Sequence, residues 1–254
     1  MNAHNISNYA NGNLELKHID NIAVLNFKNN IFEIITDLSK SAEFFKLMKE
    51  VKYSEDTHAL LVTNDNGSLN AEVYTEFLNS VKQESSQKEF QLSTGIARTR
   101  QIVNLNNFIR KAVEFDKMIF IGLQGEIVTP FFGASLAADF RYAAENTVLS
   151  LYHLKMGVHP AGALPYFLPK YVKHAKVYDI LFSGKNITAD EALKLGLINK
   201  VFPSETFEQD CIKSIKELVE GNENVLRCTK RLLKFSTSDL EKYIDFEECN
   251  FISS

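Results

Sequence analysis

The stretch from Lys117 to Pro203 limits what this chain can fold into more than any other part of it. It opens with Met118-Ile119-Phe120-Ile121-Gly122-Leu123, an apolar run of strand length, and continues as Gln124-Gly125-Glu126. Thr129 to Asp139 follows, with Pro130 where a helix tolerates proline, in its first turn. Leu149 to Pro160 carries Tyr152, His153, Gly157 and His159. In Ile187 to Val201, Thr188 and Glu191 have the spacing of a capping box.

The preceding residues repeat a strand-then-helix rhythm. Residues 1–13 are rich in Asn and read as loose. Leu14 to Lys17 and Asn21 to Phe27 read as two strands with Asp20-Asn21 as the turn. Thr36 is placed to cap a helix to about Val51, with Leu38, Ala42, Phe45 and Met48 on one face. His58 to Thr63 is a short apolar run, as expected of a strand buried on both faces of a parallel sheet. After the turn at Asn64 to Ser68 a helical pattern returns over residues 69–79. Gln83 to Arg98 is polar and is the candidate for a mobile segment. Ile102, Leu105, Phe108, Ile109, Ala112 and Val113 recur at helical spacing, so a helix ends near Phe115. Beyond Pro203 the pattern is only helical: Ser204 to Glu220, Asn224 to Phe235, and a last helix capped by Thr237 or Ser238 and running through Phe246. Alternating strands and helices predict right-handed crossovers on a parallel sheet.

Bulk properties narrow the function classes. The chain has 254 residues, 45% hydrophobic, enough for a large core. The formal net charge is −4 and no basic block stands apart from acidic neighbours, so no nucleic-acid partner is expected. Cys211, Cys228 and Cys249 are far apart and odd in number, which suggests neither a disulfide framework nor a zinc site. A reducing cytoplasm is the expected location. The polar start, Met1 to Ile6, lacks the apolar core of a signal peptide, and no apolar run has membrane length.

The order of landmarks resembles the crotonase (enoyl-CoA hydratase/isomerase) superfamily. Gln124-Gly125 occupies the place of the family's Asn-Gly, and Leu136-Ala137-Ala138-Asp139 that of its Ala-Asp ending. Gly157, Pro160, Thr188 to Ala192 and Gly196-Leu197-Ile198 supply the next landmarks. The resemblance covers about Leu14 to Phe251. It implies an α/β spiral of β-β-α units over residues 14–203, and a C-terminal helical trimerisation region over residues 204–254. A homotrimer or homohexamer, and a substrate that is an acyl-CoA or acyl-carrier-protein thioester, are implied with it. Coenzyme A would enter only as part of the substrate, with no separate cofactor and no metal.

The family's chemistry starts with two backbone N–H groups that hold a thioester oxygen as an enolate forms, and such donors often supply the largest single catalytic effect. The resemblance places the first donor at Glu72 or Val73. It places the second at Pro130, which has no N–H, so Phe131 is the substitute, with Pro130, Phe132 and Gly133 lining the substrate. Gly133 and His153 stand where a hydratase has its two glutamates. Loss of both makes hydration the least fitting reaction. Isomerisation, decarboxylation or hydrolysis fit better, with His153 as the leading catalytic group beside Tyr152, Glu126 facing the pocket and His159 as a further candidate. Each has a structural reading too: His153 as a turn residue, His159 as a loop residue, Glu126 as a surface carboxylate, Glu72 as a first-turn acid, Phe131 and Phe132 as core. The second hypothesis is a catalytically silent homologue that binds an acyl-thioester or a partner. The chain stops where relatives generally continue into one more helix, which implies a more open site.

Overall fold

Alternation with period two decides the central layer. A computed structural model of the chain describes residues 8–28, 31–83, 96–221 and 223–252. Strands β1 (Tyr9–Ala10), β2 (Leu14–Ile19) and β3 (Ile22–Phe27) form an antiparallel edge. Asp20 turns the β2–β3 hairpin at φ 53°, a conformation that Asp tolerates better than most residues. Part of the stretch expected to be loose is therefore a strand: Tyr9 pairs with Leu16 and Ala10 with Glu15. Residues 1–7 of that stretch lie outside the described residues.

Helices α1 (Ile31–Thr36) and α2 (Leu38–Tyr53) follow. The cap of α2 is Asp37, not Thr36 as the sequence suggested. The Asp37 carboxylate accepts from the Ser39 N–H at 2.8 Å and the Lys40 N–H at 3.1 Å. Thr36 instead closes α1, its hydroxyl donating to the Phe32 carbonyl at 2.5 Å. The apolar Ile31 to Ile35 cluster wins a turn of its own by burying four of its residues.

Then come β4 (Ala59–Asn64), α3 (Ala71–Gln83), α4 (Ile96–Glu114), β5 (Met118–Leu123), β6 (Glu126–Val128) and α5 (Thr129–Ser135). The polar stretch between α3 and α4, the candidate mobile segment, lies mostly outside the described residues (84–95). Next are β7 (Phe140–Ala144), β8 (Val148–Ser150), α6 (His153–Met156), α7 (Leu164–Tyr171), α8 (His174–Ser183), β9 (Ile187–Thr188), α9 (Ala189–Lys194) and β10 (Lys200–Phe202). The main sheet runs β1-β2-β3-β4-β5-β7-β10 and is parallel from β3 onward. A small sheet, β6-β8-β9, stands beside it. This is the mixed α/β architecture that the strand and helix rhythm predicted.

Each central strand divides its side chains between two cores. Leu60 and Val62 of β4, with Ile119, Ile121 and Leu123 of β5, join the larger core under α1, α2, α4 and α5. Leu61 of β4 and Phe120 of β5 face the other way, against Phe207, Cys211 and Ile215 of α10 (Phe207–Val219). Burying such a side chain contributes about 1.5–3 kcal/mol, which explains the fully apolar strands. Ser204 does not cap α10, which starts at Phe207 after Thr206; the Ser204 N–H is taken by Glu145 at 3.2 Å. The chain ends in α11 (Glu223–Leu233), a 3₁₀ turn at Lys234–Thr237 and α12 (Leu240–Ile252). The last helix continues past Phe246, where the sequence pattern placed its end.

The C-terminal helices are tied to the sheet by a buried ion pair. Lys230 of α11 donates to Asp139 at 2.6 Å and to the Lys117 carbonyl at 2.8 Å. The same Asp139 oxygen accepts the Ile119 N–H at 2.7 Å. Burial pushes Asp139 above, and Lys230 below, its ordinary pKa, against the attraction between them. Such a pair adds little net stability but is costly to break on one side. Lys230→Ala should lose about 3 kcal/mol in urea unfolding, and the joint change to Lys230→Met with Asp139→Leu should lose clearly less. Equal losses would contradict this reading.

Candidate functional site

The site region lies past the C-terminal ends of β4 and β5, which Asn64 and Gln124 lock together. The Asn64 amide donates to the Gln124 carbonyl at 3.0 Å, and the Gln124 amide donates to the Asn64 carbonyl at 2.7 Å. Gly125 follows at φ +74°, with the Asn66 side chain where a Cβ would stand, so only glycine serves there. The Val128 N–H donates to the Leu69 carbonyl at 3.0 Å. That bond sets the start of α3 beside the start of α5.

Two helix starts therefore face one region, and each offers amides for an anion. At α3 two of these amides, those of Ala71 and Val73, already have partners. Asn70 accepts the Val73 N–H at 2.9 Å as a side-chain cap. Glu126 reaches across from β6, its carboxylate accepting the Ala71 N–H at 3.1 Å. A carboxylate of the chain itself thus sits where an anion would bind. Glu72 is an exposed first-turn acid. At α5, Pro130 stands in the first turn without an N–H. The amides of Glu72 and Phe131 are the first-turn donors left among those the sequence singled out.

The side chains around α5 are packed. Phe131 meets Phe32 edge-on at 5.4 Å between centroids, and Phe32 stacks on Phe77 at 4.5 Å and Tyr74 at 5.5 Å. Phe132 is fully buried in the same core. Gly133 leaves no room for a carboxylate: a Cβ there would stand 2.5 Å from the Gly162 carbonyl oxygen and 2.9 Å from that of Ala161. Gly162, at φ +78°, lies in turn against the Pro130 carbonyl. The main chain of the 161–163 turn fills the volume that an acid side chain would need.

His153 is 2% exposed at the start of α6. Its Nδ1 lies 3.1 Å from the Thr129 hydroxyl, which is also 3.2 Å from the Ser150 carbonyl. Burial lowers its pKa, with a backbone contact to Leu181 opposing and the nearby His159 adding to the depression. The ring is a neutral, internally bonded group at pH 7. Tyr152 is half-buried, its hydroxyl 3.3 Å from that of Thr75 and its ring under Lys155. His159 is exposed. The structure thus brings Glu126 to the start of α3, and His153 to Thr129 beneath the start of α5.

One carboxylate was missed from the sequence. Glu247 of α12 is buried, and one of its oxygens is 3.2 Å from the Tyr243 hydroxyl. The Ala163 N–H reaches it as well, next to the turn that Gly133 touches. Its place inside the run Asp245 to Glu248 hid it among solvated acids. Among the described residues no group of His, Cys, Asp and Glu could hold a metal ion, and no helix is long and apolar enough to cross a membrane.

With this geometry in view, comparison with known proteins defines the class. The sequence profile described as Enoyl-CoA hydratase/isomerase matches residues 87–254, and the chain belongs to that family. Human enoyl-CoA delta isomerase 2 is 28% identical over 154 residues, which is 59% of this chain and 38% of that protein. Mouse chromodomain Y-like protein is 29% identical over 156 residues, 61% of this chain and 26% of that one. The chain thus matches only about a quarter to two-fifths of the length of these curated relatives. An enoyl-CoA hydratase/isomerase from Cupriavidus metallidurans CH34 shares the fold with a TM-score of 0.73 at 21% identity, covering 96% of this chain and 88% of its own. A HypX variant from Aquifex aeolicus matches with a TM-score of 0.76 at 18% identity, over 96% of this chain and 42% of its own.

Burial pushes the Glu247 carboxyl up to about 7, with the Tyr243 hydroxyl and the Ala163 N–H opposing. The folded protein therefore holds a proton that the unfolded chain, with a value near 4.5, gives up. Stability from this group is complete below the unfolded value and is lost as pH rises through about 7. Glu247→Gln should remove about 2–3 kcal/mol of the decline in unfolding free energy between pH 5 and 8. An unchanged slope would contradict the assignment.

Proposed function

We propose that this enoyl-CoA hydratase/isomerase-family chain acts as a binding subunit, for an acyl-thioester or a partner protein, and does not run the enolate chemistry by the family's usual route. One observation carries the reading. Glu126 seats its carboxylate on the Ala71 N–H at one helix start, while the other helix start has Pro130 in its first turn. An enolate oxygen arriving between them would meet a negative charge and one missing donor. Removing a single such donor typically costs about 100- to 1,000-fold in rate. The packed turn against Gly133 and the internally bonded His153 support the same view, since neither presents an acid or base to a substrate.

A second reading is supported by the amides of Glu72 and Phe131 and by Tyr152, whose hydroxyl meets Thr75 of α3. If Glu126 swings away, these groups could polarise an acyl-CoA or acyl-carrier-protein thioester. Isomerisation, decarboxylation or hydrolysis would then follow, with coenzyme A present only as part of the substrate. In either reading a cytoplasmic homotrimer or homohexamer is proposed. The exposed Leu232, Leu233 and Phe235 near the C-terminal end support an interface there.

Calorimetric titration with crotonyl-, 3-hexenoyl- and malonyl-CoA separates the two readings when the mixtures are also followed by mass and ultraviolet absorbance. The binding-subunit reading predicts no product, including from Glu126→Gln. Product from the wild-type chain, abolished by His153→Ala, would overturn it and establish the enzyme.

A further inference from the structure

The chain holds two Asn-Gly pairs, Asn11-Gly12 and Asn66-Gly67. Asparagine is chemically labile, and most so before glycine, which puts no side chain in the way of its own amide nitrogen. That nitrogen can attack the side-chain carbonyl carbon of the asparagine before it. The fold treats the two pairs differently. Asn11 is held from both ends of its amide. Its Oδ1 accepts the Asn13 N–H at 2.8 Å and the Leu14 N–H at 2.7 Å. Its Nδ2 donates to the Tyr9 hydroxyl at 2.8 Å and to the Glu43 carboxylate at 3.1 Å. Turning this amide onto the Gly12 nitrogen would break all four bonds, each worth about 0.5–1.5 kcal/mol.

Asn66 is exposed in the turn between β4 and α3. Among the described residues neither its side chain nor the Gly67 N–H has a hydrogen-bond partner. Gly67 sits at φ +88°, so glycine is the residue this turn requires. Both reacting atoms border Gly125: the Asn66 Cγ lies 3.2 Å, and the Gly67 nitrogen 3.4 Å, from the point where a Gly125 Cβ would stand. The labile pair is therefore built into the junction of β4, β5 and α3.

We propose that Asn66 is a site of spontaneous covalent modification, where the chain ages by deamidation. The Gly67 nitrogen bonds to the Asn66 Cγ as the Cγ–NH₂ bond breaks. The proton lost by the Gly67 nitrogen leaves with the amide as ammonia, and a five-membered succinimide remains. Water then opens the ring at either carbonyl, giving aspartate or isoaspartate. Both products add a negative charge next to Asp65. Isoaspartate also adds a methylene to the main chain of a tight turn. There the Ser68 N–H donates to the Asp65 carbonyl at 3.1 Å, its hydroxyl donates to the same carbonyl at 2.8 Å, and the Leu69 carbonyl takes the Val128 N–H at 3.0 Å. Lengthening this turn pulls Leu69 from Val128 and loosens the seam between α3 and β6. None of these steps depends on whether the chain is an enzyme or a binding subunit, so the site stands or falls separately from that reading.

The full chain is incubated in mildly alkaline buffer, sampled over time, digested, and mapped by mass spectrometry with fragmentation that separates aspartate from isoaspartate. A synthetic peptide of residues 64–70 is incubated beside it. Asn66 should convert at least about tenfold faster than Asn11, and within about tenfold of the peptide rate. Isoaspartate should be among the products, and the Val128 amide should lose protection from hydrogen exchange as conversion proceeds. Asn66→Gln, whose longer side chain would have to close a less favoured six-membered ring, should stay unconverted and keep its Val128 protection. Conversion of the peptide with Asn66 intact in the chain, or Asn11 converting as fast as Asn66, would overturn the site. Unchanged Val128 protection in converted chain, or the same loss of protection in Asn66→Gln, would overturn its effect on the seam.

Discussion

Two backbones touch at Gly133 and Gly162, and much of the site region depends on that contact. Neither position accepts a side chain without collision. The close approach brings the 161–163 turn onto α5, and with it the Ala163 amide that Glu247 caps from α12. A relative with a glutamate at the Gly133 position needs a different path for this turn. An acid placed at Gly133 would therefore have to displace that turn, so the packing here excludes a carboxylate at this position.

Electrostatics around the two helix starts follows the same logic. Helix termini favour anions, and an unoccupied one beside a second forms a site for a developing oxyanion. Here Glu126 and Asn70 take the Ala71 and Val73 amides of α3 from within, and Pro130 removes a donor from α5. Each substitution is locally favourable: a side-chain cap, a charge on a dipole, a proline in a first turn. On the reading proposed above, together they favour a stable pair of helix starts over a reactive one. His153 belongs to this pattern, since its burial and its bond with Thr129 make it part of the packing between α6 and α5.

The fold was legible because its signals are periodic and redundant. The apolar run Met118 to Leu123 and the turn Gln124-Gly125 have few alternatives, and the capping box at Thr188 and Glu191 is formed. The local choices that failed were between neighbours of similar propensity. Asp37 caps in place of Thr36 because the buried Ile31 to Ile35 cluster forms a helix of its own that includes Thr36. Ser204 lies three residues before α10 and is held by its N–H on Glu145, so Thr206 precedes the helix instead. The site was less legible because its decisive contacts are long-range. Glu126 and Ala71 are 55 residues apart, with α3, α4 and β5 intervening, and nothing local to either announces their bond. Glu247 is buried although it lies in an acidic run, and only the placement of α12 reveals that.

The account rests on the Glu126 carboxylate holding the Ala71 amide. Amide hydrogen exchange at Ala71, compared between the wild-type chain and Glu126→Ala, tests that contact directly. The account predicts a protected amide whose exchange accelerates at least about tenfold in the variant, in keeping with loss of a charge-assisted hydrogen bond. The same rate in both chains would mean that Glu126 does not occupy the helix start, and that the region remains open to a substrate oxygen.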